Sequence, residues 1–353
     1  MIYKSSKINV CLVGILAILI SCTNPSKNNT SFFDSEIDYK KVETNQAFIF
    51  DNIYQPQVMK VIGDKLLISD TGGESAFHVL KIKSDNSITY LKGVGNLGRG
   101  PGEFTRLMDF VDADSIFYTY DGAQLKLVGY EANINILPDE EINLNTLGMA
   151  SSFYSIAPDK FLAVGLFFDD RFQTYDSDGE IVGQFGDIIP IKDNFTKRDN
   201  ALAWRCFGAV NPEGSHVYLF SANADRIEMY STEGELLKTI KGKENAVPEM
   251  DLNESGWPVD NGGVMGYEGV DADSEFIYGF YSGTKRSLFK QGEGILFEQM
   301  KFNKIHKFGW DLNIVDAYSL DHTPTSFAVD GNGGIYTLSQ NDQGTIIRYI
   351  DLK

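Results

Sequence analysis

Short apolar segments recur along the chain from about residue 45, and each is followed by a second apolar segment and a polar turn. Six units of about 45–60 residues are too long for solenoid repeats, and they fit the four-stranded blades of a β-propeller. The first members of the six units are Leu66-Leu67-Ile68, Ile116-Phe117-Tyr118, Phe161-Leu162-Ala163, His216-Val217-Tyr218, Phe276-Ile277-Tyr278 and Gly334-Ile335-Tyr336.

Polar turns punctuate the predicted strands. Two of them, at residues 175–181 and 230–236, are near copies of each other, and each has glycine at its fifth position. Glycine there supplies the positive φ of a tight hairpin. Each unit is therefore predicted to be an antiparallel sheet that buries its two faces against neighbouring units.

The two ends of the chain are predicted to meet in one blade. The last unit, residues 327–353, holds only about three strands, whereas residues 46–50 form an apolar segment before the first repeat. We expect this N-terminal strand to pair beside residues 345–352. The predicted fold is all-β, a six-bladed β-propeller whose last blade is closed by an N-terminal strand.

The first 22 residues have the pattern of a targeting segment. Lys4 and Lys7 precede an apolar run, residues 10–20, that is too short to span a bilayer as a helix. The run ends in residues 19–22, which resemble a bacterial lipobox, and this resemblance implies cleavage before Cys22 and acylation of that residue. A membrane anchor or a buried strand is the alternative. We predict a lipoprotein signal peptide at residues 1–21, a flexible tether at 22–36 and the propeller at 37–353.

Charge narrows the range of partners. The chain has 31 basic and 49 acidic residues, a net charge of −18, which argues against nucleic acid and against adsorption to anionic lipid. Membrane contact is thus expected through the lipid anchor only. Hydrophobic residues make up 42% of the chain, enough for a large core. Cys206 is predicted to be a buried, unpaired thiol, since Cys11 would be removed and Cys22 acylated.

A glycine-rich segment carries a family resemblance. Residues 95–104 resemble the Gly-x-Gly-x-Gly-Pro-Gly-Glu-Phe signature of TolB-like six-bladed propeller lipoproteins of Bacteroides-type bacteria. The resemblance implies a location in the cell envelope, on the periplasmic face or the outer surface of the outer membrane, and no particular activity. A phosphate-binding loop is disfavoured because no helix follows. We interpret the segment as an inter-blade turn with a buried aromatic anchor, formed by Gly98, Gly100, Pro101, Gly102, Glu103 and Phe104.

Motifs of common enzymes are missing from the sequence. It contains no Gly-x-Ser-x-Gly, no His-Glu-x-x-His and no P-loop, and only four histidines, His78, His216, His306 and His322. Residues 176–179 are similar to the start of a calcium loop, but the twelfth position is Asp187 instead of glutamate, so a hairpin is favoured. No cofactor is predicted, with calcium or another divalent ion as the alternative.

Three long insertions interrupt the repeat, at residues 187–207, 242–269 and 299–325, and each holds one tryptophan. Long loops without a role are uncommon in a compact domain, and tryptophan suits glycan or peptide contacts. The candidate ligand-binding residues are therefore Trp204, Arg205, Trp257 and Trp310. The alternative is that each tryptophan folds back over its own loop.

Two classes of function follow from these observations. The first is a non-catalytic envelope lipoprotein whose propeller mouth binds a protein, a peptide or a glycan. The second is a metal-dependent propeller hydrolase, lactonase or lyase with a central divalent ion. A channel lined by three or four convergent ligand side chains would favour the enzyme, and apolar or lone charged groups would favour the binder. The positions to inspect first are Asp70, Asp109, Asp169 and Asp170.

Overall fold

Strands account for most of the described chain. The computed structural model describes residues 30–32, 37–113, 116–131, 134, 138–146, 148–243, 246–256, 258–260, 262–286 and 302–353. The predicted signal peptide, Cys22, most of the predicted tether and Trp257 lie outside these residues. Within them, no helix has the length and apolar character needed to cross a membrane.

Three short strands precede six sheets, which we number as blades 1 to 6 in chain order. The early strands are β1 (Thr30–Phe32), β2 (Lys40–Val42) and β3 (Gln46–Phe50). Blade 1 contains β4 (Pro56–Ile62), β5 (Lys65–Asp70), β6 (Ser75–Ile82), β7 (Ile88–Leu97) and β8 (Glu103–Phe104); blade 2 contains β9 (Leu107–Ala113), β10 (Ile116–Asp121), β11 (Lys126–Glu131) and β12 (Glu140–Asn143); blade 3 contains β13 (Met149–Ala157), β14 (Lys160–Leu166), β15 (Phe172–Asp176) and β16 (Ile181–Phe185).

The second half of the ring includes the one described helix and an extra hairpin. The helix, α1 (Lys197–Ala203), precedes blade 4, which contains β17 (Cys206–Val210), β18 (His216–Ser221), β19 (Arg226–Ser231) and β20 (Leu236–Lys241). The hairpin, β21 (Met250–Leu252) and β22 (Pro258–Asp260), precedes blade 5, which contains β23 (Val264–Ala272), β24 (Phe276–Lys285), β25 (Lys304–Gly309) and β26 (Ile314–Leu320). Blade 6 contains β27 (Ser326–Val329), β28 (Gly334–Asn341) and β29 (Gly344–Asp351), with β3 at its edge.

The core is divided among the junctions between blades. The second strand of each blade is nearly continuous in apolar residues because neighbouring blades cover both of its faces. Six clusters of buried side chains result, one for each pair of adjacent blades including the pair formed by blades 6 and 1. Aromatic rings fill much of this space: at the junction of blades 1 and 2, Phe77 contacts Phe104, Phe110, Phe117 and Tyr130. Packing between blades thus holds the ring together.

The ring closes with chain from the opposite terminus, which confirms the prediction. Strand β3 pairs antiparallel with β29, with Phe50 opposite Thr345 and Gln46 opposite Tyr349. Alternate residues of β3, Phe48 and Phe50, pack into the cluster between blades 6 and 1.

The chain before β3 continues around the outside of the propeller. Strand β1 pairs in parallel with β20, the outermost strand of blade 4, and β2 pairs in parallel with β26, the outermost strand of blade 5. Residues 30–32 fall within the predicted tether, so part of that segment is in a sheet. A polar sequence gives no sign of this pairing because an added edge strand is held by backbone hydrogen bonds.

The third predicted insertion is wrong in its placement. Residues 304–320, which lie inside the range 299–325, form β25 and β26 of blade 5. The extra length of this unit lies earlier in the sequence, between the end of β24 at Lys285 and the start of β25 at Lys304. The other two insertions lie mainly between blades, where they carry α1 and the β21–β22 hairpin, and their last residues, 206–207 and 264–269, belong to β17 and β23.

Candidate binding channel

A channel runs through the centre of the ring. Its wall is formed by the first strand of every blade, and these six strands contact one another in order around the axis. The cavity has a volume of about 1050 Å³. It is lined by charged, aromatic, apolar and small polar side chains, from residues at the beginnings of the inner strands to residues just beyond their ends.

A cluster of three charged side chains, Lys60, Asp109 and Asp271, lies on the inner wall of this channel. Lys60 of blade 1 forms an ion pair with Asp271 of blade 5, and Asp109 of blade 2 stands close enough to interact with both. The carboxylate of Asp271 also accepts hydrogen bonds from the backbone N–H groups of Ala272 (2.9 Å) and Val329 (2.8 Å). Asp109 accepts from Phe110 (2.9 Å) and Phe153 (2.8 Å).

Each of the two carboxylates therefore connects neighbouring blades. Asp109 reaches from blade 2 to the inner strand of blade 3, and Asp271 reaches from blade 5 to the inner strand of blade 6. Both carboxylates also interact electrostatically with the Lys60 ammonium group. Hydrogen bonds to a charged acceptor are stronger than those to a neutral one, so these aspartates stabilise the ring as well as giving the channel its polarity.

Burial and neighbouring charges shift the pKa values of Asp109 and Lys60. Burial on the channel wall raises the pKa of Asp109 to about 6, although Lys60 and the two N–H groups oppose the change. Burial lowers the pKa of Lys60, but the negative charges of Asp271 and Asp109 outweigh it and hold that pKa above its ordinary value. Lys60 is thus an ammonium ion at neutral pH. Asp109 is half-buried and lines the channel, so part of the residue remains accessible to water there.

A second ion pair crosses the wall between blades 4 and 5. Arg205, which precedes β17, pairs with Glu268 of β23, and its guanidinium lies 5.3 Å from the centre of the Phe207 ring. Both charged side chains are about one-third exposed. Of the four predicted ligand-binding residues, Arg205 is therefore close to the channel, since Glu268 and Phe207 both line it.

Trp310 stands at the other end of the channel. We call this end the hairpin mouth; it is lined by Pro158, Pro212, Ser274 and Trp310, which lie in or beside turns between strands of a blade. The Trp310 indole N–H donates to the Ser274 carbonyl (3.2 Å), and its ring packs against Tyr218 at 5.3 Å. The half-buried indole keeps part of its surface open to the mouth.

Trp204 is placed differently. It is 2% exposed, and its indole N–H donates to the Ile189 carbonyl in the same connection (2.7 Å). The guanidinium groups of Arg171 and Arg226 both lie 5.4 Å from its ring, and both pair with Glu228. This side chain stabilises its own loop. Trp204, Arg205 and Trp310 are therefore not brought together.

The other aspartates to be inspected lie away from the channel wall. Asp70 caps a loop, accepting from the backbone N–H groups of Tyr54, Gln55 and Gly72 at 2.8 Å and from His78 at 3.1 Å. Burial alone would raise the pKa of Asp70, but these hydrogen bonds outweigh it and lower the pKa to about 2. Asp169 pairs with Lys197 at the surface, and Asp170 accepts from the side chains of Gln173 (3.1 Å) and Gln184 (2.9 Å).

The glycine-rich signature forms the turn between blades 1 and 2. Gly98 N–H donates to the Phe104 carbonyl (2.8 Å), and the Glu103 carboxylate accepts from Gly100 N–H (2.8 Å). Phe104 is fully buried. Gly95 has a φ of +68°, and a Cβ there would lie 2.7 Å from the Phe104 ring. Glycine is required at that position by both conformation and space.

Residues 176–179 form a hairpin between β15 and β16. The Asp176 carboxylate accepts from the backbone N–H groups of Asp178 (3.0 Å) and Glu180 (2.9 Å), and Gly179 has a φ of +82°. In the described part of the chain, no group of three or more His, Cys, Asp or Glu side chains is arranged to hold a metal ion. His306 is buried, and burial lowers its pKa to about 3.

Lys60 and Asp271 were missed as candidate residues in the sequence. Each stands in a segment that becomes an inner strand, where charged residues interrupt a largely apolar run. That interruption is the one signal the sequence offers, and many exposed strand positions look the same. The pairing itself joins positions 211 residues apart.

Comparisons with known proteins agree with the architecture. A solved structure of a DUF4221 family member from Bacteroides vulgatus is similar, with a TM-score of 0.56 and 9% identity over 89% of this chain and 98% of that one. A Bacteroides fragilis protein described as exported gives 0.54 and 14% over 93% and 99%. At these identities the likeness concerns the fold alone.

The family itself is identified from the sequence. No curated protein matches the sequence of this chain. A sequence profile of the family described as TolB-like 6-blade propeller-like does match it, over residues 32–332. The matched range begins in the strands that run outside the propeller and ends in blade 6, so it includes nearly all of the described chain. The protein belongs to the TolB-like six-bladed propeller family.

Proposed function

We propose that the protein is a non-catalytic lipoprotein of the cell envelope whose central channel binds a segment of a protein, a peptide or a glycan. The apolar run before Cys22 supports export and acylation, and the similar fold of an exported Bacteroides protein is consistent with that location. The proposed binding surface is the hairpin mouth together with the channel wall beneath it.

One observation carries the proposal: the carboxylates of Asp271 and Asp109 already face a cation of the protein itself, Lys60. The Lys60 ammonium pairs with Asp271 and interacts with Asp109, which is where a divalent ion would have to approach the same two carboxylates. A metal ion would be repelled by Lys60 or would have to displace it. An arrangement of this kind suits hydrogen bonding to a polar ligand.

The size and lining of the cavity fit such a ligand. Ligand pockets usually measure about 300–1,000 Å³, and this channel is at the upper end of that range. The hairpin mouth offers the open part of the Trp310 ring and two prolines for apolar contact, and the wall offers charged groups for hydrogen bonding. Aromatic surface next to polar groups is what glycans and extended peptides require.

A thermal-shift screen tests the proposal. Residues 23–353, which keep β1, would be screened against calcium, magnesium, manganese and zinc ions, against oligosaccharides released from bacterial envelopes, and against pools of extended peptides. A ligand at about 100 times its dissociation constant adds about 2.7 kcal/mol to the stability of the folded state. We expect stabilisation by a glycan or peptide fraction and none by the ions.

The metal-dependent propeller enzyme is the competing outcome of this screen. Stabilisation by one divalent ion that is abolished in both Asp109→Asn and Asp271→Asn would favour it. Asp342→Asn, on an exposed hairpin of blade 6, is the matched control because it removes the same charge away from the channel.

The anchor is tested separately. Cells that produce the full chain would be fed a labelled fatty acid, and membranes would be separated from soluble protein. Label and membrane retention are expected for the natural sequence, and Cys22→Ser should lose both. Unlabelled wild-type protein in the soluble fraction would refute the lipoprotein proposal, but it would leave the proposal of a binding channel standing.

A further inference from the structure

The N-terminal chain is fixed to the outside of three consecutive blades. We call its described residues before β3, 30–32 and 37–45, the strap. Strand β1 extends blade 4, β2 extends blade 5, and the next strand, β3, completes blade 6. In the first two cases the added strand lies parallel to the outermost strand of the blade, at the rim of the propeller and away from the channel.

Side chains hold the strap as well as backbone pairing. The Tyr39 hydroxyl lies 2.7 Å from Nε2 of the buried His306 on β25, and the two rings stack with centroids 5.7 Å apart. The Lys304 ammonium lies 5.1 Å from the centre of the Tyr39 ring. Burial raises the pKa of Tyr39 above its ordinary range, so its hydroxyl stays protonated.

The end of the strap near β3 is held in the same way. The backbone N–H of Thr44 donates to the Asp321 carboxylate (3.3 Å), and the backbone N–H of Asn45 donates to the Tyr349 carbonyl (2.9 Å). The Asn45 side chain in turn accepts from the backbone N–H of Asp351 (2.7 Å). Between blades 5 and 6, therefore, this segment is part of the folded body.

The strap decides where the polypeptide leaves the propeller. Its first described residue, Thr30, is paired with Thr239 on the outer strand of blade 4. Cys22 precedes Thr30 by eight residues, which span at most about 29 Å even when fully extended. Without the strap, the first fixed residue would be Gln46 on blade 6, and the 24 intervening residues could span about 86 Å. We call the segment between Cys22 and the first fixed residue the leash. The strap thus shortens the maximum length of the leash about threefold and moves its point of attachment from blade 6 to blade 4.

We propose that the rim of blade 4 faces the membrane, so that neither end of the channel is turned towards the lipid. This rests on the proposed acylation of Cys22. A leash attached at the rim of blade 4 keeps that rim close to the lipid surface, and blade 1, three positions around a ring of six, is the most distant part. The acidic body disfavours lying flat on anionic lipid, which favours contact through the leash alone.

Energy transfer to labelled lipid tests this orientation. The lipidated full chain would be reconstituted into phosphatidylcholine vesicles that contain a headgroup-labelled acceptor. A donor dye would be coupled to an azidophenylalanine at Glu235 or at Ser84. These exposed positions lie in the equivalent hairpins of blades 4 and 1, β19–β20 and β6–β7, so they form a matched pair.

Transfer from position 235 should be several-fold more efficient than transfer from position 84. Releasing the strap with Ser31→Pro and Lys41→Pro, which remove backbone donors from β1 and β2, should abolish that difference while the protein stays on the vesicles. Equal transfer from the two positions in the unmodified strap would overturn the proposal.

A second preparation separates this inference from the lipoprotein proposal. The mature chain would be coupled to a maleimide lipid through Cys22, since Cys206 is 1% exposed and unreactive. The same difference in transfer is expected there. If natural acylation fails but this preparation shows the difference, the lipoprotein proposal falls and the role of the strap stands. If neither preparation shows it, the strap does not set the orientation.

Discussion

Replacing Asp109 with asparagine should change the way in which stability depends on pH. Burial raises the pKa of this carboxyl from 3.8 to about 6 in the folded protein. The unfolded chain therefore releases the proton near pH 4, whereas the folded chain keeps it until about pH 6. The free energy of unfolding of the wild type should therefore decrease as the pH rises from about 4 to about 6, and it should level off above pH 6. Asp109→Asn lacks this titration.

The magnitude follows from the difference between the two pKa values. A difference of about 2 corresponds to at most about 3 kcal/mol. Water reaches Asp109 through the channel, so we expect about 1–2 kcal/mol. Asparagine also keeps only one acceptor for the N–H groups of Phe110 and Phe153, which costs about 1 kcal/mol at every pH.

Urea denaturation of residues 23–353 at several pH values from 4 to 8 provides the assay. The difference in unfolding free energy between variant and wild type should shift in favour of the variant as the pH rises from 4 to 6.5. Asp342→Asn should run parallel to the wild type. If Asp109→Asn also runs parallel, Asp109 does not hold its proton as described, and the account of the channel electrostatics is wrong.

Three further predictions concern the ion pair, the signature and the ring closure. Lys60→Met leaves Asp271 without its cation and should lower the free energy of unfolding by about 2–4 kcal/mol, and adding Asp271→Asn should recover part of this loss. Additive losses in a double-mutant cycle would show that the two side chains are not paired. Gly95→Ala should lose about 1–3 kcal/mol in denaturation, more than Gly63→Ala, which has a similar φ but open space; equal losses would show that Phe104 does not restrict the site. Phe48→Ala should lower the melting temperature by several degrees because Phe48 packs between blades 6 and 1, and Ile49→Ala, 54% exposed on the same strand, should not; equal melting temperatures would contradict closure by β3.

The architecture could be predicted because its pattern is local and repeated. Each blade needs a buried second strand, a hairpin and a next strand, and these leave the same signal six times, from Leu66-Leu67-Ile68 to Gly334-Ile335-Tyr336. The closing strand was predictable for a related reason. The last repeat is one strand short, and an apolar segment before the first repeat has the right length to supply it.

The channel was harder to predict because it depends on contacts between distant parts of the chain. Lys60 and Asp271 pair across the ring, and no local pattern connects them. Asp109 could be singled out only as one of several aspartates near the starts of repeats. The predicted position of the third insertion failed because charged residues, Lys304, Lys307 and Asp316, interrupt the apolar pattern of β25 and β26 and weaken the strand signal.

The position of the strap was also hard to predict, because it too depends on contacts between distant parts of the chain. Residues 30–32 fall in a segment that is read as tether from its composition, but their pairing depends on the free edge of blade 4, which exists only once that blade has formed. Tyr39 likewise gains its partner from His306, 267 residues away.

Calorimetric titration of the channel with the stabilising fraction from the screen is the most direct test of the binding function. Wild type, Lys60→Met and Lys83→Met would be compared, where Lys83 is an exposed lysine of blade 1, and the ligand would be recovered and weighed by mass spectrometry. The account predicts that wild type and Lys83→Met bind alike, that Lys60→Met binds at least about tenfold more weakly, a loss of about 1.4 kcal/mol, and that the ligand is recovered unchanged. Equal binding by all three proteins, or conversion of the ligand, would contradict it.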